Sequence, residues 1–335
     1  MPQNCRWTAD RIPDTSRSGW LTLLAEQCGI VSLAQLRAHG HSADDVAANV
    51  AAGRWQRVLP RVYATFTGEL PRPAWLSAAL LYGGSGAVLS HYTAAEEWRL
   101  VPIAERPVEI TVPYTSSAIS QRPFVVVHRS RALKHTTLES TPPRTRGPDT
   151  ILDLAVAQQT SRDAMMLVVD LISRSSIPLQ AVFDCFLLRP PYRYRGAIRR
   201  GLELVGGGLM SALEVEYLEV EEAHGLPRGD RQTPFTVDGK TLWEDVTYDG
   251  HGAALTIRLD GRATHSTGGI AFRDRRRDNI AELAGRARLV YGWHDVHTSP
   301  CAVAAEVRKV LIREGWDPTG GRQPTCRRCS HERRE

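Results

Sequence analysis

The stretch WEDVTYDGHGAALTIRLDGRATH, residues 243–265, constrains this 335-residue chain more than any other. It reads as two strands joined by a tight turn, with Asp245 on the first strand and Asp260 ending the second. Two carboxylates on a β-hairpin can hold a divalent metal ion. Arg258 points to the same face as Asp260, two residues before it, where a metal site would most welcome another acid. With the turn near Gly250, Asp245 faces Thr256, and Arg258 is its diagonal neighbour at about 7 to 8 Å between backbones. A guanidinium there supplies a fixed positive charge where the metal's charge would sit, which favours holding phosphate over cutting it. The hairpin therefore has two readings, a working metal site or the shell of one.

The surrounding segment, 206–316, orders as helix, hairpin, helix, strand, helix. Ser211 can cap a first helix with Leu213, Tyr217, Leu218 and Val220 on its apolar side, and Gly225 ends it. FRDRRRDNIAELAG spaces Phe272, Asn279, Ile280 and Leu283 on one helical face and clusters Arg273, Arg275, Arg276 and Arg277. These arginines are either a phosphate grip or a solvated face balanced at i, i+4 by Asp274 and Asp278. ARLVYGWHDV is expected as a strand in which Leu289, Tyr291 and Trp293 alternate. SPCAVAAEVRKVLIREGW closes the segment, with Ser299 as cap and Pro300 at the first helical position. The tail, 317–335, carries Arg322, Arg327, Arg328, Arg333 and Arg334 together with Cys326, Cys329 and His331. CxxC with a nearby His is half a zinc site, and with no second half close in sequence the expectation is a disordered basic tail.

At the front, 1–65, a helix spans Trp20 to Cys28. VSLAQLRAHG follows, with Ser32 and Gln35 as a capping box and Gly40 as a stop. HSADDVAANVAAG is a third short helix capped by Ser42, with Val46 and Val50 on one face and Gly53 at its end. RWQRVLPRVYATF alternates toward strand. Three helices and a basic hairpin read as a winged helix-turn-helix or as a small helical cap with a solvated hairpin. Asn49, Arg54, Arg57 and Arg61 favour nucleic acid, while Asp44 and Asp45 oppose it. The middle segment, 66–205, holds helices in AWLSAALLYGG and SHYTAAEEWRL, strands in VEITVPY and PFVVVHRS, and helices from DTILDLAVAQQ onward. GGSG at 83–86 lacks the spacing and the lysine of a phosphate cradle, and Ser90 beside His91 reads as a helix cap rather than a nucleophile pair.

Hydrophobic content of 42% and charged content of 24% are those of a globular protein, and the net charge of +5 favours an anionic partner only mildly. The N-terminus lacks a signal-peptide core and no 18 apolar residues run together, so a cytoplasmic protein off the membrane is expected. The six cysteines are few and scattered, which fits reduced thiols.

Together these pieces resemble proteins that join the N-terminal domain of AbiEi-type antitoxins, from type IV toxin-antitoxin systems, to a restriction-endonuclease-like domain. GIVSLAQLRAHG, the helix ending in AAGRW, QRVLPRVYA, AVLSHYTAAEEW, VEITVP, VVVHRS and TILDLA carry the first likeness. SALE, GLP at 225–227, Asp245, LDG at 259–261, His265, DRRRDN and WHDV carry the second, which is similar to the very-short-patch-repair (Vsr-like) branch of the PD-(D/E)XK nucleases. The resemblance implies an α/β multidomain chain: a winged helix-turn-helix, an α+β middle domain and a C-terminal restriction-endonuclease-like α/β domain. It implies double-stranded DNA as partner, through Asn49, Arg54, Arg57 and Arg61 in front and Arg258, Arg273, Arg275, Arg276 and Arg277 behind, and a nucleotidyltransferase toxin as the antitoxin's counterpart. If the rear domain is active, it implies Mg2+ on Asp245, the backbone carbonyl of Leu259 and Asp260, with His265 and Glu214 assisting water as further catalytic residues. Two departures stand out: Arg258 occupies the position of the second acid, and Arg61 stands where a glycine usually precedes the Val-Tyr of the wing.

Overall fold

Serines begin the helices of the front as their spacing predicts. In the computed structural model, which describes residues 14–209, 211–237, 240–260, 285–320, 323–326 and 329, Ser32 and Ser42 each accept a hydrogen bond from the backbone three residues on, in reciprocal capping boxes with Gln35 and Asp45. His265, Arg273, Arg275, Arg276, Arg277, Arg322, Arg327, Arg328, His331, Arg333 and Arg334 lie outside the described residues. The chain is mixed α/β, with several sheets, and divides into two units: 1–157 with 180–191, and 158–179 with 192–335.

The first unit opens α1 (Asp14–Glu26), β1 (Ile30–Ser32), α2 (Leu33–Ala38), α3 (Ala43–Ala51), β2 (Gln56–Leu59) and β3 (Val62–Ala64). Its three strands pair antiparallel in the order β1-β3-β2. Trp20, Leu24, Val31, Leu36, Val46 and Trp55 form a core of their own beneath them. Next come α4 (Arg72–Gly83), β4 (Val88–Leu89), α5 (His91–Glu97), β5 (Val108–Pro113), β6 (Val125–Ser130), α6 (Leu133–Thr136), β7 (Thr137–Leu138), β8 (Arg144–Thr145) and α7 (Gly147–Val156). These strands make a five-stranded sheet, β6-β5-β4-β8-β7, with β5 and β6 parallel. Ala78, Ala79, Leu89, Ile110, Val112 and Val125 pack between this sheet and α4. Small alanines on α4 bring the helix close to the strands.

The second unit contains α8 (Ser161–Arg174), α10 (Arg195–Gly206) and α11 (Ala212–His224), while α9 (Leu179–Leu188) lies almost wholly in the first. Ser211 caps α11 by accepting from the Glu214 backbone. Four strands follow, β9 (Asp230–Val237), β10 (Lys240–Thr247), β11 (Leu255–Asp260) and β12 (Ala287–Gly292), then α12 (Trp293–Thr298) and α13 (Pro300–Arg313). The sheet runs β12-β11-β10-β9, antiparallel except for the parallel pair β11/β12. Leu213, Tyr217 and Val220 of α11 and Val303, Val307 and Leu311 of α13 bury its Val246, Leu255 and Ile257.

One strand ends sooner than its alternation predicts. The expected strand ARLVYGWHDV stops at Gly292, and Trp293 begins α12 instead. Asp295 reaches back to accept the Gly292 N–H at 2.8 Å, capping the new helix and breaking the ladder. Among the described residues no helix is long and apolar enough to cross a membrane.

Candidate functional site

The hairpin forms, but in a different register from the one its glycines predict. Thr247 pairs with Thr256 and Val246 with Ile257, so the next step along the strands sets Arg258 directly across from Asp245. The link between the strands carries a 3-10 turn at Asp249–His251, and Gly252 takes φ +75, a left-handed conformation suited to glycine. The turn thus centres beyond Gly250, and the same register carried one step on sets Asp245 across from Arg258 instead of Thr256. Directly opposed residues stand about 4.5–5.5 Å apart at Cβ, closer than the expected diagonal. Alternation puts Asp245, Arg258 and Asp260 on one face, while Val246, Leu255 and Ile257 enter the core on the other.

Asp245 Oδ2 accepts the backbone N–H of Leu259 at 2.8 Å. One carboxylate oxygen is therefore committed to the strand whose carbonyl was expected to share a metal. On the other side of β10, the pairs Glu244↔Thr233 and Val246↔Arg231 put Gln232 beside Asp245. Gln232 donates from Nε2 to Glu214 Oε1 at 3.3 Å, and Ser211 Oγ donates to the same oxygen at 3.3 Å. Glu214 is only 4% exposed. The sheet thus links Glu214, through Gln232, to the row of Asp245 and Arg258. Asp260 is half-buried at the end of β11, across from Gly292 of β12.

At the front, Arg54, Arg57 and Arg61 are exposed. Asn49 is not: it is 7% exposed, donates from Nδ2 to the Asp45 carbonyl and accepts Arg54 Nε, both at 2.8 Å. It finishes α3 and orients Arg54 rather than facing outward. The exposed positions of α3 are Ala43, Asp44, Ala47, Ala48 and Ala51. Methyl groups and one acid offer base edges no side-chain donor. Arg61 adopts φ +62 at the β2–β3 turn, so the chain keeps the glycine-type bend with an arginine in it.

The middle segment holds a polar cluster where the sequence predicts a helix cap. Ser90 makes no side-chain cap bond; its Oγ lies 3.1 Å from His91 Nδ1. The His91 ring stacks on His128 at 3.6 Å between centroids and 16° between planes, and His128 Nε2 bonds Glu109 Oε2 at 2.8 Å. Burial, then the neighbouring His128, lowers His91 to about 4. Burial opposes ionisation of Glu109, but the His128 hydrogen bond and both imidazoles outweigh it and hold the carboxyl below its usual range. Although the ligand atoms lie within 4.8 Å of one another, in-plane lone pairs of stacked rings run parallel and do not converge on one ion. Ser90 is fully buried, so no substrate reaches its hydroxyl. The cluster is an internal polar knot.

In sequence, Cys326 and Cys329 have no second pair of ligands close by. The fold supplies His224 and Cys301, whose ligand atoms lie within 4.8 Å of both cysteines. They come from the end of α11 and the start of α13, so no local spacing announces them. No protein-family model matches this chain, and no curated protein sequence matches it either.

Proposed function

We propose that this chain is a cytoplasmic, double-stranded-DNA-binding protein of the AbiEi-like antitoxin and transcription-regulator kind, with a nucleotidyltransferase toxin as its counterpart. Its rear domain keeps a restriction-endonuclease-like framework that grips phosphate without cutting it. In the front, the order helix, strand, helix, helix, strand, strand with a β1-β3-β2 sheet supports the winged-helix reading. Exposed Arg54, Arg57 and Arg61 on and beside the hairpin supply its positive charge. In the rear, a helix followed by an antiparallel hairpin and a parallel fourth strand supports the nuclease-like reading.

The observation that carries the proposal is the pairing of Thr247 with Thr256 and Val246 with Ile257, whose continuation sets Arg258 across from Asp245. A divalent ion on Asp245 would meet a guanidinium in the adjacent position, and Coulomb repulsion in a half-buried site is poorly screened. With one Asp245 oxygen also taken by the Leu259 N–H, the described residues do not fit Mg2+. A phosphate fits the same positive charge.

The test is incubation of the purified protein with supercoiled plasmid and magnesium or manganese, beside Asp245→Ala and Arg258→Glu. The expected result is retention of the plasmid on a gel without nicking by wild type, with nicking gained in Arg258→Glu. Nicking by wild type that disappears in Asp245→Ala would establish instead an active Vsr-like endonuclease.

A further inference from the structure

We infer that His224, Cys301, Cys326 and Cys329 form a zinc centre that fastens the C-terminal tail to the second unit. Three thiols and an imidazole are the donors that zinc prefers, in a Cys3His set. Their separations carry the assignment. Cys301 Sγ lies 3.7 Å from Cys326 Sγ and 3.5 Å from His224 Nε2. A tetrahedral zinc at about 2.3 Å from sulfur and about 2.0–2.1 Å from nitrogen sets edges of about 3.8 Å between sulfurs and about 3.6 Å between nitrogen and sulfur. All four ligand atoms fall within 4.8 Å of one another. Sulfurs 3.7 Å apart are far from the roughly 2.05 Å of a disulfide.

The surroundings prepare each ligand. His224 Nδ1 donates to the Val220 carbonyl at 2.8 Å, which fixes the tautomer and turns the Nε2 lone pair toward the sulfurs. Gly225, at φ +65, ends α11 immediately after the histidine. The freed carbonyls of that helix end are taken up by the tail and by α13. Thr325 and Cys326 both donate their N–H to the Ala223 carbonyl at 2.9 Å, and Arg308 donates to the His224 carbonyl at 2.5 Å. Cys301 follows Pro300 in the first turn of α13. Cys326 and Cys329 are a CxxC pair, the spacing by which one short stretch of sequence can present two sulfurs to one ion. The centre thus joins helix end, helix start and tail, three segments of one unit that no disulfide connects.

The role is structural: four protein ligands leave no position for water or substrate. It does not depend on whether the hairpin face cuts DNA.

The full-length protein is dialysed against zinc, freed of loose metal by gel filtration and measured for metal content, alongside Cys326→Ser, Cys329→Ser, His224→Ala and His331→Ala. One zinc per chain is expected in wild type and His331→Ala, with at least a tenfold loss in the other three. Exchange for cobalt should give the thiolate charge-transfer and intense visible bands of a tetrahedral site, weakened in the same variants. The two tail cysteines lie outside the hydrophobic core, so circular dichroism is expected to find their variants folded. Wild-type protein without zinc, or zinc undiminished in a Cys326→Ser/Cys329→Ser double variant, overturns the centre. Loss in His331→Ala with retention in His224→Ala overturns the ligand set.

Discussion

Tyr248 donates its hydroxyl hydrogen to Glu221 Oε1 at 2.6 Å, beneath the sheet of the second unit. Tyr217 bonds the Tyr248 hydroxyl at 2.8 Å, the Gly229 N–H reaches the same Glu221 oxygen at 3.1 Å, and Arg231 pairs with Oε2. Glu221 is 1% exposed and the Arg231 side chain 5%. Burial, with the Glu221 charge, raises both tyrosine hydroxyls well above their usual range, so they remain protonated donors.

Removing one member of this pair strands the other's charge. Glu221→Ala is expected to cost about 3–5 kcal/mol, because Arg231 stays buried without its partner. Replacing both, as Glu221→Leu with Arg231→Met, should cost clearly less than the sum of the single changes. Urea unfolding of the four proteins measures this; additive losses would mean that the two charges do not stabilise each other.

The His91 knot makes stability depend on pH. Its folded value of about 4 lies below the unfolded 6.5, so between them the unfolded chain carries the extra proton. Stability is fully present above pH 6.5 and is lost as pH falls toward 4, by up to about 3 kcal/mol for a shift of this size. Glu109, with its carboxyl held low, adds to the loss only at more acid pH, where that carboxylate takes a proton. His91 sits at φ +49, which asparagine tolerates. Thermal melts between pH 4 and 7 should therefore show a shallower slope for His91→Asn than for wild type, and parallel slopes would remove His91 as the source.

How far the sequence carried follows from the range of each interaction. Ser32, Ser42 and Ser211 were readable as caps because a cap is settled within four residues. The hairpin was readable too, but not its register: Gly250 and Gly252 both offered a bend, and only the second adopts the left-handed conformation. A turn centred on Gly250 therefore sets the register of β11 two positions away from the one that the strands adopt. Asp295, three residues after Gly292, was a cap signal for α12 that the continuing alternation of Leu289, Tyr291 and Trp293 masked. Asn49, three residues after Val46, shares the buried side of α3, which its helical spacing would have revealed. His224 and Cys301 are 77 positions apart and meet only when α11 and α13 pack, so no pattern in the chain contains that pairing.

The alanine surface of α3 sets what the front can read. If DNA lies against it, contact comes from Arg54, Arg57 and Arg61 to phosphates, which position the duplex without specifying bases. Arg57→Ala should reduce the slope of log affinity against log salt by about 1. Because these contacts specify no bases, the same substitution should weaken binding of a promoter fragment and of scrambled duplexes by the same factor. A hundredfold preference for the promoter would locate base reading elsewhere in the chain.

Arg61 joins stability and binding with opposite signs. Its φ of +62 costs a non-glycine residue about 1–2 kcal/mol, of which glycine's greater freedom in the unfolded chain gives back about 0.5–1. Arg61→Gly is therefore expected to leave the fold as stable or more stable by about 0.5–1 kcal/mol. Its carbonyl accepts the Leu33 N–H at 2.8 Å, a backbone bond that the substitution keeps. The exposed guanidinium is lost, so DNA affinity at low salt should fall while the melting temperature holds or rises. Arg61→Lys keeps the charge and the strain, and should bind nearly as wild type without the gain in stability. If Arg61→Gly binds DNA as tightly as wild type, the β2–β3 turn is not at the phosphate backbone, and the positive charge of this hairpin serves solubility alone.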